Sequence, residues 1–125
     1  DREQGKIQVR EVCEAFECGP TLNPDNLVSQ VHGCIMMGMG PALREAMHFD
    51  DGKILNASFA DYQVPRFEDM PKINVHLVNN TEIPSAGGGE TPIIAIAPAI
   101  ANAVFAATGL RIRSMPLRDE RLKRA

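Results

Sequence analysis

Leu27, Val31, Ile35, Met39, Leu43 and Met47 recur every four residues, with Val28, Ala42 and Ala46 beside them. That spacing lays one apolar stripe along an α-helix of roughly twenty residues. Asn23-Pro24 opens it, because Asn supplies a capping oxygen and Pro at the first helical position forfeits only an orphan N–H. Gly33, Gly38 and Gly40 each cost about 1 kcal/mol relative to Ala and Pro41 about 3 in a helix interior, so the pattern predicts a helix from Pro24 to near Met47, interrupted around Gly38–Pro41. Upstream, Ile7, Val9 and Val12 sit among charges and read as a strand that begins near Ile7 and runs into the turn Cys18-Gly19-Pro20. Asp51-Gly52 between short apolar runs marks a hairpin, with an outgoing strand from Ile54 to Tyr62. Prolines 65 and 71 punctuate a loop, after which Lys72–Val78 alternates with Ile73, Val75 and Leu77 on one face. A second loop, Thr81 to Glu90, leads into Ile93–Thr108, almost continuously apolar and small. Its second half predicts a buried helix that Pro98 begins or kinks and Gly109 closes in the left-handed conformation. Strand, helix, strands, helix is a mixed α+β order with two main helices and a small sheet.

The chain has 125 residues, 44% of them hydrophobic and 23% charged, which is globular rather than disordered. It starts without methionine and enters a strand pattern within a few residues, as expected of a piece of something longer. No run approaches the roughly 18–20 consecutive apolar residues of a membrane span. The net charge is −3, but residues 110–125 carry six basic residues (Arg111, Arg113, Arg118, Arg121, Lys123, Arg124) against Asp119 and Glu120. This cationic end reads as a tail on a domain of residues 1–109, solvated or set against a subunit. Five Phe, one Tyr, no Trp and no nucleic-acid-binding signature argue against a nucleic-acid partner. Three cysteines, Cys13, Cys18 and Cys34, are too few and odd in number for a disulfide scaffold.

Candidate chemistry concentrates at Gly87-Gly88-Gly89-Glu90. Adjacent glycines let backbone come close to a bulky group, and a helix starting near Thr91–Pro92 would aim its first N–H groups at that group. On local grounds alone Glu90 reads first as a carboxylate that complements a helix N-terminus. The loop lacks the Lys-Ser/Thr of a phosphate loop. His32, Cys34, His48 and His76 have no metal-ligand spacing, and His32 and Cys34 lie within the apolar helix, where a buried thiol and imidazole are ordinary.

Several segments together carry a resemblance. Glu17-Cys18-Gly19-Pro20-Thr21-Leu22-Asn23-Pro24, Gln30-Val31-His32-Gly33, Gly38-Met39-Gly40-Pro41-Ala42-Leu43, Asp61-Tyr62-Gln63-Val64-Pro65-Arg66, Met70-Pro71, Gly89-Glu90 and the run from Ala97 to Gly109 resemble the C-terminal part of the molybdenum-binding large subunit of the xanthine oxidase family. Within that family the chain looks like the isoquinoline 1-oxidoreductase beta-subunit branch. The chain departs from the family pattern at Glu17, Cys34 and Thr91. The resemblance implies a portion of a molybdopterin-binding domain in an oxidoreductase that hydroxylates an aromatic N-heterocycle or an aldehyde with water as oxygen source. It implies a molybdenum–pterin cofactor shared with the rest of the large subunit, iron–sulfur clusters on a partner subunit or domain, and a small-molecule substrate. By the same resemblance Glu90 is the general base, Gln30 lies near the cofactor, and Gly87, Gly88 and Gly89 form the loop beside it. No metal ligand is assigned to this chain. Alone it is expected to be inactive and to self-associate through apolar surface. The alternative is a noncatalytic assembly or interaction module that keeps the same fold.

Overall fold

A computed structural model describes residues 1, 3–118 and 120–123, without the side chains of Glu120 and Arg121. Of the cationic end, Asp119, Arg124 and the side chains of Glu120 and Arg121 therefore lie outside the described residues. Strand β1 (Glu11–Glu17) pairs in parallel with the strand Lys72–Val78, in register from Glu11 opposite Lys72 to Glu17 opposite Val78. A parallel pair needs a long crossover, and the helix α1 (Pro24–Leu43) is the helical part of it. Between α1 and the second strand of the pair lies the hairpin of β2 (Phe49–Asp50) and β3 (Lys53–Ile54), so that Lys72–Val78 is β4. A 3₁₀ turn at Thr91–Ala95 and the helix α2 (Ile96–Thr108) follow. This is the mixed α+β arrangement of two helices and a small sheet that the hydrophobic pattern predicts.

α1 begins as expected: Asn23 Oδ1 accepts the Asn26 N–H at 3.1 Å, with Pro24 in the first turn. The expected interruption does not occur. The helix runs through Gly38, Gly40 and Pro41 to Leu43, where the Arg44 and Glu45 N–H groups both donate to the Gly40 carbonyl at 2.8 Å. Its end is thus earlier than Met47, and Pro41 falls in the last turn. Burial overrides the propensity penalty: Val31, Ile35 and Ala42 are wholly buried and Met39 nearly so. The small residues are also what the packing requires, since a Cβ on Gly38 would stand 2.9 Å from Ile96 Cγ2 and 3.0 Å from Ile93 Cγ1.

Other boundaries shift for local reasons. β1 starts at Glu11 rather than Ile7, because only from that point does β4 offer a partner. The hairpin forms at Asp51-Gly52, with φ values of 44° and 73° that suit a tight two-residue turn, but β3 stops at Ile54. There the chain is turned inward by Asn56, whose amide accepts the His48 N–H at 2.8 Å and donates to the Ala46 carbonyl at 2.7 Å. Near Asp69, Arg44 forms a forked ion pair with the carboxylate, one arm at 2.7 Å, and ties the 3₁₀ turn Phe67–Asp69 to the end of α1.

α2 ends at Gly109 as expected, the Gly109 N–H donating to the Phe105 carbonyl at 2.7 Å. It is buried on one stripe only, through Ile96, Ile100 and Val104, while Ile94 before it and Phe105 within it are exposed. Thr91–Thr108 has a mean hydropathy of 1.6, so by length and composition it qualifies as a span. Core helices meet the same measure, and the stretch holds no uninterrupted apolar run of that length, since Pro98 and Asn102 break it. Beyond Gly109, Ile112, Leu117 and Leu122 enter the core, and the Leu117 N–H donates to the Ala42 carbonyl at 2.7 Å.

The two faces of the parallel pair differ. Outside, Lys72 and Asn74 hold Glu11 Oε1 at 2.9 and 2.7 Å. Inside, Val12, Phe16, Ile73, Val75 and Leu77 pack toward the helices, and Glu14 shares their face with one carboxylate oxygen buried and unbonded among the described residues. Burial raises the Glu14 pKa above the ordinary carboxylate value.

Two predictions rest on this packing. Gly33 of α1 has open space where a Cβ would go, so Gly33→Ala should stabilise by roughly 0.5–1 kcal/mol through propensity. Gly38→Ala should instead lose about 1–3 kcal/mol to overpacking, with denaturant unfolding as the measurement. Glu14 binds its proton more tightly in the native than in the unfolded state, so its contribution to stability is full below the unfolded pKa and is lost as pH rises through the raised native one. Glu14→Gln should therefore raise Tm relative to wild type at about pH 7, with the advantage gone at about pH 4. An equal Tm difference at both pH values would contradict the assignment.

Candidate active site

One stripe of α1 receives the whole segment that carries Glu90. Leu27 lies against Gly88, where a Cβ would collide with the leucine side chain. One turn on, Gln30 Nε2 donates to the Gly89 carbonyl oxygen, and after a further turn Cys34 Sγ donates to the same oxygen at 3.4 Å. One turn beyond that, Gly38 takes Ile93 and Ile96. Residues 27, 30, 34 and 38 fall on one helical face. The loop Gly87–Gly89 and the turn Thr91–Ala95 are thus laid along α1.

The other wall of the loop comes from the turn after β1. Gly19 has φ 81°, and a Cβ there would stand 2.7 Å from the Pro84 carbonyl oxygen. Both facts require glycine. The Cys18 carbonyl accepts the Ala86 N–H at 2.9 Å, and Asn79 Oδ1 accepts the Thr21 N–H at 2.9 Å. These bonds close the loop after β4 over the loop after β1, so the C-terminal ends of the two parallel strands lie together beside the start of α1.

The structure brings Gln30, Gly88, Gly89 and Glu90 together, as the sequence suggests. Gly87 and Gly89 border open space: nothing lies within 4 Å of where their Cβ atoms would be. Glu90 is exposed at the N-terminus of the turn Thr91–Ala95. The helix expected to start at Thr91–Pro92 is there a 3₁₀ turn, and α2 begins only at Ile96. Pro92 and the close packing of Ile93 on Gly38 hold this entry in its tighter form. The Glu90 side chain makes no capping hydrogen bond, and among the described residues no hydrogen bond or ion pair holds its carboxylate. Local sequence reasoning treated Cys34 as an ordinary buried thiol and did not connect it with this loop. Its spacing of one turn from Gln30 was the available signal.

The donor set and the shape fit the edge of a cofactor site of the kind the resemblance implies. A free carboxylate stands beside two glycines facing open space, on a loop fixed from behind by the helix. Among the described residues no three His, Cys, Asp or Glu side chains are grouped to hold a metal ion.

Comparison with known proteins gives the family of the chain. The sequence profile of the molybdopterin cofactor-binding domain matches residues 1–71. The chain is 38% identical over 125 residues to the aldehyde oxidoreductase molybdenum-binding subunit PaoC of Escherichia coli, covering 94% of the chain and 17% of that protein. It is 34% identical over 118 residues to the isoquinoline 1-oxidoreductase subunit beta of Brevundimonas diminuta, covering 94% of the chain and 15% of that protein. The reconstituted CO dehydrogenase from Oligotropha carboxidovorans superposes with a TM-score of 0.82 at 27% identity, over 99% of this chain and 16% of that one. The chain therefore spans under a fifth of the length of each of these relatives, and it belongs to the molybdopterin cofactor-binding domain family.

Proposed function

We propose that the chain is part of the large subunit of a molybdenum-cofactor-dependent oxidoreductase that hydroxylates an aromatic N-heterocycle or an aldehyde, with water as the oxygen source and Glu90 as general base. The observation that carries this reading is the state of Glu90. Its carboxylate is exposed and has no hydrogen bond or ion pair among the described residues, while the backbone bearing it is held on α1 by Gln30, Cys34 and Leu27. A general base needs both properties, a free lone pair and a fixed origin.

When bound, the molybdenum–pterin cofactor supplies the two-electron redox change that no side chain offers. Gly87 and Gly89 leave room for a planar group beside Glu90. Gln30 spends one amide N–H on Gly89 and keeps its amide oxygen uncommitted among the described residues. Glu90 takes up, at its carboxylate, the proton released as the water-derived oxygen attacks the substrate carbon.

The rest of the complex follows from the same reading. Residues 1–109 form the C-terminal part of the cofactor-binding domain, and residues 110–125, which lend Ile112, Leu117 and Leu122 to its core, are its basic end. The remainder of the large subunit covers exposed apolar residues such as Ile94 and Phe105, and without it the chain self-associates and holds no cofactor tightly. Electrons leave through iron–sulfur clusters on a partner subunit or domain.

In the assembled enzyme Glu90→Gln should keep its molybdenum and its affinity for substrate while losing turnover by roughly 10² to 10⁴. The amide preserves shape but has no basic lone pair. Steady-state rates with metal content decide the matter. Near wild-type turnover in the Gln variant would remove Glu90 from the mechanism and favour the noncatalytic assembly module.

A further inference from the structure

We propose that Cys34 is a positioning residue for Glu90: with Gln30 it clamps the Gly89 carbonyl oxygen and so fixes the peptide plane on which the Glu90 Cα rides. This inference rests on the reading of Glu90 as general base.

The Gly89 carbonyl oxygen has two lone pairs, and the two side-chain donors that reach it come from successive turns of α1, Gln30 Nε2 and Cys34 Sγ at 3.4 Å. A trans peptide holds the Gly89 carbonyl carbon and oxygen, the Glu90 nitrogen and the Glu90 Cα in one plane. Fixing the oxygen from two directions therefore fixes the plane, and what is left to Glu90 is its own side-chain torsions. One donor would leave the plane free to pivot about the oxygen.

The need for two donors arises from the loop itself. Three consecutive glycines carry more backbone freedom than any other tripeptide, and Gly87 and Gly89 have no neighbours where a Cβ would sit. Only Gly88 is confined, by Leu27. A base that must meet a proton at about 3 Å tolerates little wandering of its origin, so the freedom that opens the site has to be removed from behind. Cys34 is well placed to do so, being 6% exposed on a helix whose next inward residue, Ile35, is wholly buried.

The bond requires a protonated thiol. Burial and the nearby Glu14 carboxylate hold the Cys34 pKa above its usual value, with Glu90 adding to this and the Ile93 backbone amide opposing it. The proton is accordingly present at neutral pH. A thiol is a weak donor, but it acts here on an oxygen that already has its stronger partner.

The test uses the assembled holoenzyme with Cys34→Ala and Cys34→Ser, read by kcat, KM, molybdenum content and hydrogen–deuterium exchange of the 87–93 segment. Cys34→Ala is expected to lower kcat about tenfold, the order of one lost hydrogen bond, with KM and molybdenum unchanged and exchange in the segment faster. Cys34→Ser, which keeps a donor, should recover most of both. A role in packing alone predicts the opposite order, because a buried hydroxyl fits an apolar site worse than a methyl. Ala equal to or better than Ser in kcat and exchange would overturn the proposal. Should the Ala variant not accumulate, Cys34→Val fills the space without a donor and makes the same comparison with Ser. If Glu90→Gln is inactive while Cys34→Ala is unimpaired, this inference alone falls. If Glu90→Gln keeps turnover, the base reading falls and the positioning role with it.

Discussion

The close approach of the segment Gly88–Ile96 to α1 is the contact on which the rest of the molecule depends. It is possible only because α1 presents glycine at position 38, where Ile93 and Ile96 would otherwise strike a side chain at 3.0 and 2.9 Å. That approach sets the start of α2, which in turn buries Ile100 and Val104. It also brings the Gly89 carbonyl within reach of Gln30 and Cys34. A helix costly in propensity terms is thus kept whole by what it packs against. The glycines and the proline are consequences of a surface that must be thin in some places and apolar in others.

The parallel pairing of β1 and β4 provides the second constraint. Both strands point the same way, so the loops that follow them emerge at one end of the sheet. The bonds Cys18–Ala86 and Thr21–Asn79 tie those loops together. Ligand sites in open parallel sheets gather at the carboxyl ends of strands for this reason. Here the candidate base sits at that end without being on a strand. Its position is inherited from the loop, the loop's from α1, and α1's from the crossover that parallel pairing demands.

How much of this the sequence disclosed depends on how local each cause was. The Asn23 cap, the Asp51-Gly52 turn, the alternation of Lys72–Val78 and the closure at Gly109 are each decided within a few residues, and each was legible. The continuity of α1 through Pro41, its early end at Leu43, the shortness of β3 and the 3₁₀ entry to α2 are decided by Ile96, Arg44, Asn56 and Pro92 acting through packing. No window of neighbouring residues contains those contacts. The site divides in the same way. Gly87–Glu90 stood out as a motif, and Gln30 came from family resemblance, but Cys34 looked like any buried cysteine until a carbonyl 55 residues away was found against it.

Carboxylates in this structure fall into separate uses, and the contrast bears on Glu90. Glu11 is held by Lys72 and Asn74, Asp69 by Arg44, and Glu45 by the Tyr62 hydroxyl at 2.8 Å. Each of these spends its lone pairs on fixing one element against another. Glu14 faces inward and is driven toward its protonated form by burial. Glu90 does neither: its backbone is anchored, its carboxylate has no hydrogen-bond partner among the described residues, and the two glycines beside it leave the adjoining space open. A carboxylate that served as the cap of this helix would accept one of its first N–H groups, yet the Glu90 side chain makes no capping bond to the 3₁₀ turn that leads into α2. Among the described residues the hydrogen bonds at this point of the loop fall on the oxygen of the preceding residue and none on the acid itself, so the chain fixes where the Glu90 backbone stands and leaves its carboxylate uncommitted.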